Sequence, residues 1–483
     1  MSTEQNLARL TALELVEGYR NKTFSPVEVT EAVLTRLEEI DGNLNAFCHR
    51  DDETVRAMAL ASQERWSRGE PIGPVDGVPT SIKDVLKAKG WPTRVGSKTV
   101  DVKQPWEEDA PSVARMREAG AVFIGMTTTP EMGWKGVTDS PVYGTSRNPW
   151  NMRMTPGGSS GGAAAAVACG VGPLAFGTDG GGSVRIPAGF CGIVGHKPTF
   201  GRVAAWPPGV YGTLSHIGPM TRTVRDAALM MNVIGKPDSR DPWSLADDGI
   251  DYVAAAEGGI KGLRIAYSPD LGYVRVDPEI RALVDQAVEG LRNLGAEVDI
   301  IELDIPKPEE IFRTLWYACA AQAIRAESKA RRRFLDYGLV KIAEEGERIP
   351  AMDYVEAERM RGRYAGQIDA LYERYDLLVT PTLPIPAFEA GLEVPAGWPH
   401  DRWFTWTPFT YPFNLTRQPA LTVPCGFNSE GLPAGLQIIG QTQADALVLR
   451  AGTAYQDAYS TLDQWPSAGR SATATSTKLE VSE

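Results

Sequence analysis

The sequence predicts an α/β fold built around a mixed β-sheet, and three observations carry that expectation. Short buried-type strands alternate with amphipathic helices along most of the 483 residues. Segments 263–267 and 298–303 read as strands on either side of an amphipathic helix at about 278–294, the spacing of a parallel βαβ unit. Glycine (49) and proline (35) are well above their average combined share of roughly 12%, yet no Gly-X-Y period appears, and 43% of residues are hydrophobic. Collagen and wholesale disorder are thereby excluded, and many turns must depend on the backbone.

The elements follow in order. Ser25-Pro26-Val27-Glu28 has the form of a capping box with proline at the first helical position. Val27, Val29, Val33, Leu34 and Leu37 then form an apolar stripe that runs to Asp41-Gly42. A second, polar helix covers about 52–68, and 77–84 is a short extended segment ending in charges. A turn or two of amphipathic helix at 112–119 leads into a buried-type strand at 121–125. Residues 127–162 are dominated by Gly, Pro, Ser, Thr and Asn, and an aperiodic loop of that length inside a compact domain points to function. An alanine-rich helix at 161–170, a short strand at 174–177 and a second glycine-rich stretch at 178–195 come next. Beyond the βαβ unit, 308–375 is largely helical, 376–379, 420–423 and 434–439 read as late strands, and a helix covers 444–459. The resulting division is an N-terminal helical region at 1–70, a body at 71–465 with a helical insert at about 305–375, and a disordered, Ser/Thr/Ala-rich tail at 466–483.

Length admits one very large domain or two to three ordinary ones, any of which buries a sizeable core. A formal charge of −12 argues against nucleic acid and anionic membrane surfaces as partners, and fits simple acidic solubility. Cys48, Cys169, Cys191, Cys319 and Cys425 are odd in number, far apart and free of C-x-x-C, which favours reduced thiols and a cytoplasmic home. The start, MSTEQNLARL, shows no basic region followed by an apolar core, so no signal peptide is expected. The longest apolar stretch, 163–177, is interrupted by Gly170, Gly172 and Pro173 and is too short to span a bilayer. A homodimer is the base-rate expectation for assembly.

Hydrolytic chemistry needs a nucleophile, a base and an oxyanion site. The four histidines, His49, His196, His216 and His400, include no H-x-x-x-H pair, so no metal site is expected. No phosphate-binding loop or dinucleotide fingerprint is present, and no cofactor is expected. Two glycine runs remain, Pro156-Gly157-Gly158-Ser159-Ser160-Gly161-Gly162 and Gly177-Thr178-Asp179-Gly180-Gly181-Gly182-Ser183-Val184-Arg185. Consecutive glycines let backbone N–H groups converge on one point, and a serine beside such a nest can attack a carbonyl whose oxyanion the nest holds. The alternative reading is a pair of flexible linkers, but each run leads directly into a hydrophobic helix or turn. Gly157-Gly158-Ser159-Ser160-Gly161 also matches the G-x-S-x-G elbow of α/β-hydrolase esterases, which requires a late histidine; His400 has no supporting pattern. A serine without histidine needs another base. Lys83, after apolar Ile82 in a strand-like segment, can serve if burial lowers its pKa, although a lone lysine is more often a solvated surface charge.

These runs, with Gly77-Val78-Pro79 leading to Lys83-Asp84, resemble the amidase signature family. The resemblance extends over about 8–460, through Arg147-Asn148-Pro149-Trp150, Phe190-Cys191-Gly192, Gly218-Pro219-Met220-Thr221-Arg222, Thr380-Pro381-Thr382 and the segment from Gly431 to Gly440. It implies a single large domain with a twisted mixed sheet covered by helices on both faces. It also implies a Ser-cisSer-Lys triad: Ser183 as acylated nucleophile, Ser159 as the bridging serine after a cis peptide, and Lys83 as ultimate base. The oxyanion hole maps to the N–H groups of Gly180, Gly181, Gly182 and Ser183, with Gly180 standing where many members carry Thr or Ile. Ser160 is a supporting residue. Asp179 and Arg185 read as loop-orienting charges, or equally as a plain ion pair.

The family includes glutamine-hydrolysing subunits of tRNA-dependent amidotransferases and broad amidases. Ile186 stands where amidotransferase subunits usually carry Gln, which suggests uncharged aryl or alkyl amides, with anilides and carbamates as relatives, rather than glutamine. Met132, Trp134 and Ile186 are pocket candidates, with Trp316 and Cys319, on the helical insert, weaker ones; core packing is at least an equal reading for each, and the stronger one for Trp316 at helical spacing from Phe312. The leading expectation is a free-standing amidase acting on small amides through a seryl acyl-enzyme. The amidotransferase component is the alternative.

Overall fold

The structure, a computed structural model, describes residues 7–466 and residue 468. Its strands are β1 (Phe47–His49), β2 (Pro79–Lys83), β3 (Val122–Thr127), β4 (Asp139–Ser140), β5 (Gly144–Thr145), β6 (Leu174–Asp179) and β7 (Val194–Lys197). They continue with β8 (His216–Thr221), β9 (Arg264–Tyr267), β10 (Glu297–Ile300), β11 (Leu377–Pro381), β12 (Ala420–Phe427) and β13 (Pro433–Gly440). Eleven of them form one sheet in the order β1-β3-β2-β6-β8-β7-β12-β13-β11-β9-β10; β4 and β5 make a separate two-stranded ladder. The sheet is mixed, as expected: β3, β2 and β6 run parallel at one side and β11, β9 and β10 at the other, with antiparallel pairings between.

Period-two burial shows how the sheet is covered. Ile265 and Tyr267 on β9, Leu377 and Val379 on β11, and Leu421 on β12 enter one apolar cluster, whereas Ala266, Leu378 and Ala420 between them enter another. The first cluster packs beneath the helices Pro26–Leu44, Val224–Ile234, Pro278–Asn293 and Asp445–Ala458. The second is formed with the helices Glu309–Ala323, Tyr337–Gly346 and Ala351–Asp369 and the aromatic stretch Trp403 to Leu415. Both faces are thus covered by helices.

Local signals produce the expected helices. Ser25 Oγ accepts the Glu28 N–H and Glu28 Oε2 accepts the Ser25 N–H at 2.7 Å, which completes the capping box that starts Pro26–Leu44. The polar helix is Asp52–Arg68 and ends on Gly69 at φ +75°. Two central strands, β7 and β8, are not among the strands expected from the sequence, and glycine, proline and histidine inside them weaken any strand pattern. The Gly-rich stretch after β6 likewise conceals a helix, Arg185–Cys191. The tail at 466–483 lies outside the described residues, Pro466 and Ala468 apart. No helix among the described residues is long and apolar enough to cross a membrane, and the five cysteines are unpaired.

Candidate active site

Lys83 is the last residue of β2, flanked in the sheet by β3 and β6, and is fully buried. Its Nζ lies 2.6 Å from Ser159 Oγ, 2.8 Å from Ser160 Oγ and 2.9 Å from Thr178 Oγ1. Burial drives its pKa well below the ordinary lysine value, opposed only by the charge of Asp179. Burial thus favours the neutral form of this amine, which sits among three hydroxyls.

Ser159 follows a cis peptide bond from Gly158. Gly158 has no alternative side chain: a Cβ there would lie 2.5 Å from the backbone of Val137. Ser160 then starts the helix Gly161–Ala168, with its N–H donated to Ser183 O at 3.2 Å. That bond ties the two glycine runs together.

Ser183 ends the loop that joins β6 to the helix Arg185–Cys191. The loop is wrapped around Asp179. Its carboxylate accepts the N–H of Gly182 at 2.7 Å and of Val184 at 3.2 Å, and pairs with Arg185 through Nη2 at 2.9 Å and Nε at 3.0 Å. Both side chains of the pair are fully buried. Burial alone would raise the Asp179 carboxyl, but the Arg185 charge and hydrogen bonds hold it well below the usual range. Asp179 and Arg185 are thus more than a plain ion pair, because the carboxylate fixes the loop backbone directly. This also corrects the expected donor set: Gly182 turns its N–H inward to Asp179, at φ +128°, and cannot offer it to an oxyanion. The N–H groups of Gly180, Gly181 and Ser183 have no hydrogen-bond partner among the described residues.

Ser159, Thr178, Gly180 and Ser183 line one cavity of about 370 Å³. Its walls are mostly apolar or aromatic, with Trp106, Met132, Trp206, Tyr211 and Trp316 among them. No Asp, Glu or Arg lines it among the described residues; the one charged side chain, Lys87, pairs with Glu108 at 3.1 Å. His216 also borders it, but burial holds that imidazole neutral, and its Nδ1 lies 2.8 Å from Leu214 O. His400 is exposed and takes no part in the cavity, so the esterase reading loses its base. No group of three His, Cys, Asp or Glu that could hold a metal occurs among the described residues.

Residues 28–449 match the family described as Amidase. The chain belongs to the amidase family. As such it is a hydrolase acting on carbon–nitrogen bonds in linear amides. An acylamidase of Rhodococcus erythropolis is 38% identical over 461 residues, covering 94% of this chain and 96% of the relative. The crystal structure of a bacterial aryl acylamidase of the amidase signature family matches with a TM-score of 0.87 at 33% identity, over 93% of this chain and 96% of that one. A glutamyl-tRNA(Gln) amidotransferase subunit from Chloroflexus aggregans is 38% identical over 464 residues, 89% of this chain and 92% of the relative.

Of the pocket candidates in this amidase, Met132 and Trp316 line the cavity and Trp134 and Ile186 do not. Trp134 is fully buried, with its indole against Gly338 of the helix Tyr337–Gly346, and its carbonyl accepts the Trp316 Nε1–H at 3.2 Å. Ile186 is fully buried behind both glycine runs, its methyls beside Gly157 and Gly182. Neither can read a substrate directly, because each fills the layer behind the cavity wall. Cys319 packs at the edge of the second apolar cluster and does not line the cavity either.

Three supporting residues escape sequence reasoning. Thr178 is the third hydroxyl at Lys83, and it sits inside the second glycine run. Asn414 donates Nδ2 to Asp179 Oδ1 at 2.8 Å and accepts Arg185 Nη2–H at 2.7 Å; Gln437 Oε1 accepts Arg185 Nη1–H at 2.8 Å. Gln437 falls within the 431–440 motif, whereas Asn414 falls in none. They reach Arg185 across 252 and 229 residues of sequence respectively, a separation that no local pattern reports.

Proposed function

We propose that this amidase hydrolyses small uncharged aryl or alkyl amides, anilides and carbamates included, through an acyl-enzyme on Ser183. The observation that carries the reading is the buried Lys83 at 2.6 Å from Ser159, its pKa lowered by burial, with Ser159 and Ser183 opening into one apolar cavity. A neutral amine has two N–H donors and one lone pair. Ser160 sends its own hydroxyl hydrogen toward Thr178 O at 3.3 Å and so receives one donor, and Thr178 Oγ1 receives the other. The lone pair is left for the Ser159 hydroxyl. In this mechanism Ser183 Oγ attacks the carbonyl carbon while its proton passes to Ser159 Oγ, whose own proton moves to Lys83 Nζ. The N–H groups of Gly180, Gly181 and Ser183 receive the oxyanion. Reversing the relay protonates the leaving amine and breaks the C–N bond; water then enters by the same route to release the acid and free Ser183.

The substrate class rests on charge. Glutamine carries an ammonium and a carboxylate beside its side chain, and burying either without a partner is costly. The cavity offers the ammonium no carboxylate, and its one cation, Lys87, is already paired with Glu108. This disfavours glutaminase action, despite the 38% identity to an amidotransferase component. The free cysteines fit a cytoplasmic, reducing setting. The test uses the purified single chain on acyl anilides, simple amides, aryl carbamates and glutamine, with released amine or ammonia measured. Hydrolysis of the neutral substrates with trace release from glutamine is expected, and Ser183→Ala should abolish turnover. Glutamine as the preferred substrate, or full activity in Ser183→Ala, overturns the reading.

A further inference from the structure

Gly180 opens the nucleophile loop, and its backbone does not require glycine. Its φ lies outside the left-handed region that Gly182 occupies at +128°. What crowds a side chain there is Trp316: a Cβ on Gly180 would lie 3.0 Å from Trp316 Cζ3 and 3.3 Å from Cη2, so the indole would have to give by a few tenths of an ångström. The indole cannot easily give way. It is stacked on Tyr211 at 3.5 Å and 3° and on Phe312 at 5.2 Å, meets Trp403 edge-on at 5.4 Å, and donates Nε1–H to Trp134 O. Trp316 therefore occupies the space that a residue 180 side chain would fill, and with Tyr211 it borders the cavity that Ser183 opens into.

We propose that Gly180 and Trp316 form a matched pair that sets substrate size, with Trp316 as the specificity-determining residue at the nucleophile-loop end of the cavity. The proposal rests on the seryl amidase reading above. In this proposal the indole, carried by the helix Glu309–Ala323 and lining the same cavity as Ser183, is the wall met by the acyl chain. Truncating the indole lengthens the space available there, whereas adding a methyl at residue 180 pushes the indole or the loop out of place. A glycine needed only for loop flexibility would show no dependence on Trp316.

The experiment compares the parent, Gly180→Ala, Trp316→Ala, the double variant and the milder Trp316→Phe, which keeps a ring but withdraws its edge from Gly180. Substrates are acetyl, butyryl and hexanoyl para-nitroanilides, and melting temperature is recorded for each protein. Trp316→Ala should move the hexanoyl-to-acetyl ratio of kcat/KM upward by about tenfold, the scale expected for added methylene room. Gly180→Ala alone should lower kcat and melting temperature, and the same substitution should cost little of either in a chain that already carries Trp316→Phe or Trp316→Ala. An unchanged chain-length preference in both Trp316 variants, or a Gly180→Ala defect that persists unaltered in the double variant, overturns the proposal. If the parent hydrolyses no anilide, it is the substrate reading that fails. Methane-, butane- and hexanesulfonyl fluoride then make the same comparison: the Ser183 oxygen bonds to sulfur, fluoride and the hydroxyl proton leave, and intact mass reads the rate.

Discussion

Lys83 carries the most specific expectation at the residue scale. In the proposed relay its neutral form is the active one, and burial depresses its pKa, which sets the sign of the expected pH effect. Activity should be present at neutral pH and should fall as acid protonates the amine, with a midpoint well below the roughly 10.4 of a free lysine. A kcat/KM profile whose only rise centres near that free value would contradict a lysine base. Lys83→Met should lower kcat by about 10²–10⁴-fold, the usual contribution of a positioned base. Asp179 makes a different prediction, because it holds a loop rather than a proton. Asp179→Asn leaves the buried Arg185 charge without its partner and weakens the grip on Gly182, so it should destabilise by about 3–5 kcal/mol. Urea unfolding reads that loss, and a change under about 1 kcal/mol would mean the pair is not what orders the loop.

At the scale of elements, the helical insert is clasped to the core beside the cavity. Glu131, one residue before the cavity-lining Met132, accepts the Asp336 N–H at 2.5 Å, and Asp336 in turn caps the helix Tyr337–Gly346. Lys135 bridges Asp139 at 2.8 Å and Asp336 at 2.9 Å. Burial raises the Glu131 carboxyl to about 7, with Asp336 adding to the rise and Ser97, the Asp336 N–H and Lys135 opposing it. A carboxyl whose folded pKa is raised holds its proton longer when folded than when unfolded. Stability is therefore lost as pH climbs from about 4.5 through 7, and the full cost is felt above that window. Glu131→Gln removes the ionisation, so it should be more stable than the parent at pH 8 by roughly 1–3 kcal/mol and lose that advantage at pH 5. Equal differences at both pH values would show that Glu131 does not titrate in the fold. The elements also show what a sequence can and cannot report. Pro26–Leu44 and Asp52–Arg68 are legible because cap and stripe are local, and the serines and Lys83 because ordered motifs carry them. The strands β7 and β8 are not, since their pairing with β12 and β6 overrides the loop-like composition of Gly195 and Gly218-Pro219. For Trp134 and Ile186 the sequence leaves pocket and core as open alternatives, because burial next to a cavity and exposure to it have the same signature there.

For the whole molecule, the decisive fact is where the site lies in the sheet. Lys83 ends β2, Thr178 and Asp179 end the adjacent β6, and Gln437 belongs to β13, on the far side of β8, β7 and β12. The side chains of Asp179 and Gln437 nevertheless meet on Arg185, whose guanidinium bonds both together with Asn414 and the Thr410 carbonyl. The chemical groups are thus held by central strands and buried polar bonds, not by the exposed loop at Pro207–Val210 that borders the cavity mouth. Local opening draws on regions with few buried contacts, and the reacting groups have none of that character. Heating should therefore abolish turnover in the same transition that removes near-ultraviolet circular dichroism, whereas substitutions at Val210 or Pro208 should change KM with little effect on kcat or melting. Turnover vanishing well below the tertiary transition would mean that the Arg185 network opens on its own. In that case the loop held by Asp179, rather than the sheet, would set the stability of the active site.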